Sequence, residues 1–147
     1  MANQQQLDLL KQGRAETWKR WRDNHPERAV ELSKADLRGA QLGSADLAHA
    51  DLRGADLSEA DLNNANLSEA SLRGANLRGA NLADAQLYRA DLTGASLIDA
   101  YLSGADLTEA NLCDAHMQGA HLHWATLHDT HITPEQLNQA RPLVPRL

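Results

Sequence analysis

The repeats that decide the fold begin at residue 35, and residues 35–84 read ADLRG AQLGS ADLAH ADLRG ADLSE ADLNN ANLSE ASLRG ANLRG ANLAD. Ala fills the first place of every repeat from 35 to 125, and Leu fills the third place from 37 to 127. Met117 is the exception among these leucines, and Ile132 closes the series. A fixed period of this kind is typical of proteins that stack one small unit on the next, because a single unit cannot bury its apolar face alone.

A period of five fits neither of the regular elements in its ordinary form. An α-helix advances ~100° per residue, so successive leucines would be scattered around its circumference. In a flat strand, an odd period sends successive leucines to opposite faces of the sheet. Every Leu and Ala can point inward only if the chain bends once per repeat and winds into a coil. The pattern therefore predicts a solenoid whose other positions, rich in Asp, Asn, Ser, Gly, Arg and Glu, lie at the surface.

The number of sides in each coil follows from the distribution of charge. A three-sided coil would stack residues fifteen apart at a spacing of ~4.8 Å. It would place five acids in one column: Glu69, Asp84, Asp99, Asp114 and Asp129. Adjacent like charges would destabilise that column, whereas a four-sided coil alternates Glu69, Arg89 and Glu109. The charges therefore favour four sides, with about five coils in a rod of roughly 24 Å.

Residues 35–133, with their pattern A(D/N)LXX, resemble the pentapeptide-repeat family of the cyanobacterial type. The resemblance implies an all-β solenoid, a right-handed quadrilateral β-helix of about five coils. It implies little about activity, because the members of this family act in diverse ways. Function has to be argued from the surface of the rod.

The ends of a solenoid need caps, because they expose unpaired strand edges and apolar side chains. The chain therefore divides into an N-terminal helical cap (1–34), the β-helix (35–133) and a C-terminal cap and tail (134–147). In the first part we expect one helix over residues 4–23 whose narrow stripe, apolar apart from Arg14, packs against the first coil. The stripe consists of Leu7, Leu10, Arg14, Trp18 and Trp21. The alternative is that this helix docks on a partner or a membrane, although its apolar face is too short for firm membrane binding.

A second, shorter helix is expected directly after the repeats. Thr133 suits the N-cap, Pro134 the first helical position and Gln136 the third. We expect Leu137 and Ala140 to face the last coil. The tail that follows, RPLVPRL, supplies either the rest of this cap or a contact for a second chain.

Charge is spread unevenly along the chain, whose formal net charge is −6. Residues 1–34 carry seven basic and five acidic side chains. Residues 35–134 carry five arginines against fourteen acids, which leaves the repeats near −9. Binding to nucleic acid requires clustered Lys and Arg that neutralise phosphates, so this sign argues against it and favours a basic protein partner.

The sequence predicts a cytoplasmic protein that does not bind membranes. No stretch is long and apolar enough to span a bilayer, and the first residues lack the pattern of a secretory signal. Cys113 is the single cysteine, so an internal disulfide or a cysteine-based zinc site is impossible. This usage suits a reducing compartment.

Nothing in the residues indicates an enzyme or a bound cofactor. Catalytic carboxylates need a partly dry cleft that separates their pKa values, and a convex rod filled with Leu and Ala offers none. No Ser–His–Asp grouping stands out from the surface positions of the repeat. The column of Gly54, Gly74 and Gly94 indicates turns with positive φ rather than a phosphate site.

Histidines are concentrated near the end of the repeats: His116, His121, His123, His128 and His131. His121 and His123 lie two residues apart on one side of the coil, a spacing that can suit a surface metal ion. They are weak candidates for a metal site. The plainer interpretation is that His replaces Asp or Asn in turns.

Two surfaces are candidates for binding a partner. The side formed by every fourth repeat is the most acidic and is expected to face a basic protein, through Asp46, Glu69, Asp106, Glu109 and Asp129. The second surface contains large side chains at outward positions: Tyr88, Ile98, Tyr101 and Trp124.

In a four-sided coil, Tyr101 stacks beneath His121, with His123 and Trp124 on the same side. Aromatic residues are enriched in interface cores, so this arrangement predicts a homodimer through the C-terminal ends. The alternative is that the segment 134–147 folds back over Trp124.

Three interpretations of function remain open. The first is a non-enzymatic scaffold or regulatory protein–protein interaction module that presents a rigid acidic surface. The second is a mimic of DNA that acts on a topoisomerase, like the gyrase-protecting members of the family that this chain resembles. Those members commonly place Phe at the centre of the repeat, and this chain contains no Phe. The third is a stable rod with no specific partner.

Overall fold

Each repeat stacks on the repeat that lies twenty residues further along the chain. The structure, a computed structural model, describes residues 1–141. Parallel bridges join the second residue of each repeat to its equivalent twenty positions on, from Glu31 with Asp51 to Asn111 with His131. Four repeats therefore complete one coil, which confirms the prediction of four sides.

We number sides 1 to 4 after their first repeats, which begin at residues 30, 35, 40 and 45. The repeat at 30–34 reads VELSK, without the Ala and Asp that mark the others, so the sequence placed the start of the β-helix at residue 35. The structure includes this repeat in the first coil. Glu31 bridges to Asp51, and Val30 and Leu32 are buried.

Isolated bridges and turns, rather than continuous strands, form the sides. In each repeat the second residue bridges to the next coil, Leu points inward and the following two residues turn. Because a turn begins two residues after each bridge, no side is long enough for an extended strand. Within residues 1–141 the regular elements are three helices: α1 (Gln4–Lys11), α2 (Ala15–Asn24) and α3 (Pro134–Gln139).

The interior of the rod is a column of Leu and Ala. Leu62, Leu92 and Ala95 are fully buried, and Met117 is equally buried in the place of a leucine. Burying one Leu side chain contributes roughly 1.5–3 kcal/mol. Stacking of successive coils therefore provides the main driving force for folding, with small contributions from the exposed side chains.

Each repeat ends in a turn whose second central residue has positive φ. The N–H of Ala95 donates to the C=O of Leu92 at 2.9 Å, and the equivalent hydrogen bond closes the turn in the other repeats. The φ values are 67° at Gly94, 57° at Glu69 and 67° at Trp124. Glycine at these positions confirms the interpretation of the glycine column. The stacked coils also impose this conformation on side chains that ordinarily avoid it.

Some side chains at the fifth place pack along the rod onto a glycine of the next coil. The carboxylate of Asp84 lies against Gly104, and that of Glu59 lies against Gly79 in the same way. A Cβ added to Gly104 would collide with the Asp84 carboxylate, whereas a Cβ added to Gly94 would meet nothing within 4 Å. Gly104 therefore provides space as well as backbone freedom.

Two helices form the N-terminal segment, so the prediction of a single helix over residues 4–23 is wrong. Gly13 separates them with a φ of +66°, and Arg14 precedes α2 in an extended conformation. A left-handed residue ends a right-handed helix, so the chain changes direction there. Arg14 is exposed and does not join the apolar stripe. The other members of the stripe are buried: Leu7, Leu10, Trp18 and Trp21.

Side chains of α1 and α2 bind backbone groups that a preceding coil would otherwise bind. Gln6 Nε2 donates to Ala29 O at 2.7 Å, and Gln6 Oε1 accepts from Glu31 N at 2.7 Å. Trp18 Nε1 donates to Asp46 O at 2.8 Å. Gln6 is 1% exposed, and these bonds satisfy its polar atoms in the interior. The first coil is therefore covered by hydrogen bonds as well as by apolar contact.

Helix α3 binds the last coils by a similar arrangement. Thr133 and Gln136 form the capping box that the sequence predicts, with Gln136 N donating to Thr133 Oγ1 and Thr133 N donating to Gln136 Oε1. Gln136 Nε2 also donates to Ala115 O at 3.0 Å. In the preceding coil the equivalent carbonyl, Ala95 O, accepts from the backbone N–H of His116. The side chain of Gln136 therefore replaces a backbone donor.

Leu137 does not face the last coil, contrary to the prediction. It is 37% exposed, whereas Ala140 is 6% exposed and packs inward as expected. Gln136 takes the inward position of the helix instead. Arg141 N then donates to Ala120 O at 2.9 Å, in the pattern of the repeats. The predictions made for the tail after Arg141 lie outside the described residues.

Leu92→Asp should lower the free energy of unfolding by about 4 kcal/mol or more, because it places a carboxylate without a partner in the centre of the core. Leu137→Asp, at a leucine that is 37% exposed, is the matched control and should cost less than ~0.5 kcal/mol at protein concentrations low enough for the chain to be monomeric. Urea denaturation followed by circular dichroism measures both. Parental stability of Leu92→Asp would contradict the inward placement of this side chain.

Gly94→Ala should cost about 1 kcal/mol, since Ala is strained at positive φ. Gly104→Ala should cost more, because its methyl group must displace the Asp84 carboxylate. Removing that carboxylate with Asp84→Ala in the Gly104→Ala background should recover the difference, as a double-mutant cycle can show. Equal losses for the two glycine variants in urea denaturation would mean that the carboxylate exerts no steric effect.

Candidate interaction surfaces

Side 4 gathers the acidic residues that the sequence assigned to it. One column contains the fifth residues of successive repeats: His49, Glu69, Arg89, Glu109 and Asp129. Asp106 occupies the second place of its repeat and bridges to Gln86. The five repeats of side 4 contain no Lys or Arg apart from Arg89. This side therefore keeps a net negative charge.

Arg89 is held by the two side chains next to it on side 4. Its Nε lies 2.6 Å from Glu109 Oε2, and its Cζ lies 5.0 Å from the centre of the Tyr88 ring. The hydrogen bond to Glu109 raises the pKa of Arg89, and the charges of Glu109, Tyr88 and Glu69 act in the same direction. Glu69 lies 3.8 Å from His49 Nδ1. Because the Arg89–Glu109 pair is half exposed, it contributes at most ~1 kcal/mol.

Asp46, the first acid predicted for side 4, is in contact with two residues of α2. Its Oδ2 lies 3.5 Å from Arg22 Nε, and its backbone O accepts from Trp18 Nε1. Arg22 Nη2 also approaches Ala48 O at 3.5 Å. The Asp46 side chain nevertheless remains 50% exposed, so the acidic surface that a partner can reach extends along side 4 from Asp46 to Asp129.

Three of the four arginines on sides 1 and 2, Arg38, Arg53 and Arg73, lie close to carboxylates. Arg38 Nε lies 2.9 Å from Asp36 Oδ1, and Arg53 Nη2 lies 2.6 Å from Asp51 Oδ2. The hydrogen bond from Arg38 lowers the pKa of Asp36 to about 2. The hydrogen bond from Arg53 lowers the pKa of Asp51 below its usual value. These pairs compensate part of the charge on the two sides, whereas side 4 has five acids against one arginine.

Aromatic rings gather on side 3 near its C-terminal end. The rings of Tyr101 and His121 stack with centroids 4.6 Å apart and planes at 21°. The rings of His123 and Trp124 meet edge to face, with centroids 4.9 Å apart and planes at 69°. Tyr101 is 48% and Trp124 57% exposed, while Tyr88 and Ile98 are half-buried on other sides. The predicted stack of Tyr101 beneath His121 is thus present.

The histidines do not form one cluster in space. His121 and His123, the weak metal candidates, have their rings against Tyr101 and Trp124. The other three lie on sides 2, 4 and 1 respectively: His116, His128 and His131. Within residues 1–141, no three His, Cys, Asp or Glu side chains come close enough together to hold a metal ion. Closeness in sequence does not give closeness in space here, because the chain changes side every five residues.

Comparison with known proteins supports the repeat architecture. The model of the family described as pentapeptide repeats matches residues 31–68, 55–94 and 95–133. A solved structure of a pentapeptide repeat protein from Nostoc PCC 7120 is 30% identical, with a TM-score of 0.50. That match covers 95% of this chain and 93% of the Nostoc chain.

Two other solved structures match over a smaller part. A pentapeptide repeat protein from the cyanobacterium Cyanothece 51142 is 35% identical, with a TM-score of 0.53, over 69% of this chain and 62% of that one. One from the thylakoid lumen of Arabidopsis thaliana is 35% identical, with a TM-score of 0.55, over 61% of this chain and 59% of that one. The present chain therefore spans about three fifths of the length of these two proteins.

A search of curated proteins finds no match. In the part of the chain that the structure describes, no helix combines the length and apolar character that crossing a membrane requires. The family model, by contrast, matches more than half of the chain. The chain belongs to the pentapeptide-repeat family, and this membership implies that its four-sided coil is a right-handed quadrilateral β-helix.

Proposed function

We propose that this protein is a non-enzymatic scaffold or regulatory interaction module whose side 4 binds a basic partner protein. The observation that supports this proposal is the column in which Arg89 alone opposes Glu69, Glu109 and Asp129. The side chains of these three acids are 47%, 39% and 70% exposed. Pentapeptide-repeat proteins are generally structural or interaction modules, which agrees with a role without catalysis.

The rigidity of the rod suits such a role. Backbone hydrogen bonds join consecutive coils on every side, as from Leu87 N to Asp106 O at 2.8 Å on side 4. A partner would therefore meet carboxylates on a backbone that is already ordered. Association then costs less conformational entropy than binding to a flexible acidic segment would.

The pairing of arginines favours this proposal over the alternative, mimicry of DNA towards a topoisomerase. A DNA mimic needs carboxylates that stand in for phosphates along the rod. On sides 1 and 2, Arg38, Arg53 and Arg73 lie within 3.3 Å of carboxylate oxygens. These pairs reduce the negative charge of sides 1 and 2, whereas side 4 has five acids against a single arginine. A protein with a small basic patch fits one such side better than a topoisomerase surface that encloses DNA.

Neutralising side 4 should abolish partner binding. We expect the triple variant Glu69→Gln, Glu109→Gln and Asp129→Asn to capture at least tenfold less of a basic partner in a crosslinked pull-down from native cytosol. The wild-type interaction should weaken at high salt, because it joins exposed charges.

A matched control removes the same number of charges from sides 2 and 3. The triple variant Glu59→Gln, Asp61→Asn and Asp99→Asn should retain the partner. Equal capture by both triple variants would contradict the choice of side 4. Failure of the wild-type protein to retain any partner at low salt would favour a stable rod without a specific partner.

We further propose that the protein forms a homodimer through its C-terminal ends. Ala125, Leu127 and Ile132 are only partly buried at this end of the core, and Leu137 is exposed. Helices α1 and α2 cover the N-terminal end more completely than α3 covers this one, since Val30 and Leu32 in the first coil are buried. Contact with a second copy across a two-fold axis would remove these apolar groups from water.

Light scattering coupled to size-exclusion chromatography should report twice the mass of one chain at high micromolar concentration. Leu137→Asp and Trp124→Ala should each shift the protein towards the monomer, whereas Tyr88→Ala, on side 4, should not. A monomeric wild-type protein under these conditions would reject the dimer.

A further inference from the structure

The first coil has an edge whose backbone groups would bind a preceding coil if there were one. In the second coil of side 2, Asp56 N donates to Ala35 O at 2.9 Å, and Asp56 O accepts from Leu37 N at 2.8 Å. Ser58 O accepts from Gly39 N at 2.9 Å. Each side of the first coil therefore offers one N–H group and two carbonyl groups to a strand beneath it.

The N-terminal segment binds these groups on sides 1 and 4 but not on sides 2 and 3. On side 1, Glu31 N donates to Gln6 Oε1, and Glu31 O accepts from Asn3 N at 2.6 Å. On side 4, two carbonyl groups accept from side chains of α2. Within residues 1–141, six groups on the other two sides have no hydrogen-bond partner: Asp36 N, Asp36 O, Arg38 O, Gln41 N, Gln41 O and Gly43 O.

Of these two sides, side 2 has room for a further strand. The turn between α1 and α2 closes over the edge of side 3 and leaves a cavity of about 10 Å³. A groove of about 790 Å³ lies over the edge of side 2, between Lys11 and residues 36–41. The side chains of Asp36 and Arg38 are 54% and 65% exposed there. An open edge of this kind can accept an extended segment as an additional strand.

The geometry of the repeats specifies what such a segment must supply. Its carbonyl group would accept from Asp36 N, and two N–H groups two residues apart would donate to Asp36 O and Arg38 O. In the repeats, the residue between these two donors is the first central residue of a turn whose second central residue has positive φ. This is the pattern of a type II turn, in which Pro is common at the first central position. Proline is therefore excluded from both donor positions but suits the position between them.

Residues 142–147 of this chain, PLVPRL, meet these requirements in one register. Because Pro142 and Pro145 have no N–H, Val144 and Arg146 are the two donors of this segment that lie two residues apart. Pro145 then falls between the donors, and Pro142 supplies the carbonyl group. An arginine is acceptable at the position with positive φ, since Arg89 has a φ of 55° in the same place of its repeat.

The segment has to come from a second copy of the chain. Arg141 lies just over five coils beyond Asp36, or roughly 25 Å along the rod. Six fully extended residues span at most ~21 Å, and five of them are used at the edge. We propose that residues 142–146 of one copy bind as an added strand to the open edge of side 2 in a second copy. This contact joins two different surfaces, so it depends neither on the two-fold dimer nor on side 4.

Fluorescence anisotropy with a labelled peptide tests the register. The peptide comprises residues 140–147, acetylated and amidated, and the receptor is the full chain carrying Val144→Pro, whose own tail cannot compete. We expect saturable binding that is at least tenfold weaker after N-methylation of Val144 or Arg146. N-methylation of Leu143, whose N–H is not used, is the matched control and should leave the affinity within twofold. Equal affinities of the three methylated peptides, or no saturable binding, would overturn the proposal.

Substitutions at the edge test the other half of the contact. Asp36→Pro removes the N–H and should weaken peptide binding at least tenfold, whereas Asp36→Ala keeps the N–H and should remain within threefold. Gln41→Pro removes the unpaired N–H of side 3 and should leave the affinity within twofold. Urea denaturation establishes that each variant folds. In the receptor chain itself, saturating peptide should slow hydrogen exchange of the Asp36 amide at least tenfold. Unchanged exchange at Asp36 would contradict the proposed strand.

Mixing two variants tests whether whole chains make this contact. In the Leu137→Asp background, which removes the dimer proposed above, Asp36→Pro blocks the edge and Val144→Pro blocks the tail. Each variant alone should be a monomer by light scattering. An equimolar mixture should reach twice the mass of one chain at high micromolar concentration, because one intact edge meets one intact tail. A mixture that stays monomeric would reject a second copy as the occupant of the edge.

Discussion

The structure depends on one constraint, which is that each segment of five residues must bury its Leu and Ala against the coils before and after it. A segment alone has too little apolar surface to fold, so stability comes from stacking. Stacking in turn needs a bend after every bridge, and each bend needs positive φ at its second central residue. The turn therefore recurs with the same geometry whether the residue is Gly94, Glu69 or Trp124. Surface chemistry can vary at these positions because the interior does not.

Hydrogen bonding at the two ends follows from the same constraint. A coil in the middle of the rod satisfies its backbone groups through two neighbours, but a terminal coil has one neighbour. Gln6 and Gln136 are the polar residues buried within residues 1–141, and each binds backbone groups of a terminal coil. An unpaired strand edge can also pair with other chains and cause aggregation. These amides therefore protect against aggregation as well as against a loss of stability.

Much of the fold could be predicted from the sequence, because its period and its charges leave few solutions. The repeat fixed the inward positions of residues such as Leu92, and the Glu69–Arg89–Glu109 column favoured four sides. The two-helix N-terminus could not be inferred from the apolar stripe, since Gly13 breaks the helix without interrupting the spacing of hydrophobic residues. The pairing of Asp46 with Arg22 and the contact of Asp84 with Gly104 depend on tertiary packing, which has no local signal in the sequence.

Because each coil contains four repeats, the length of this rod and the direction in which its ends face can change independently. Adding four repeats would lengthen the rod by ~4.8 Å and leave α3 above the same side as before. Adding a single repeat would rotate everything after it by about 90° around the axis, while changing the length by only a quarter of a coil. Related chains could therefore vary the azimuth between their two ends through the number of repeats alone. The number of repeats would then set the relative orientation of two surfaces, without any substitution in the residues that form them.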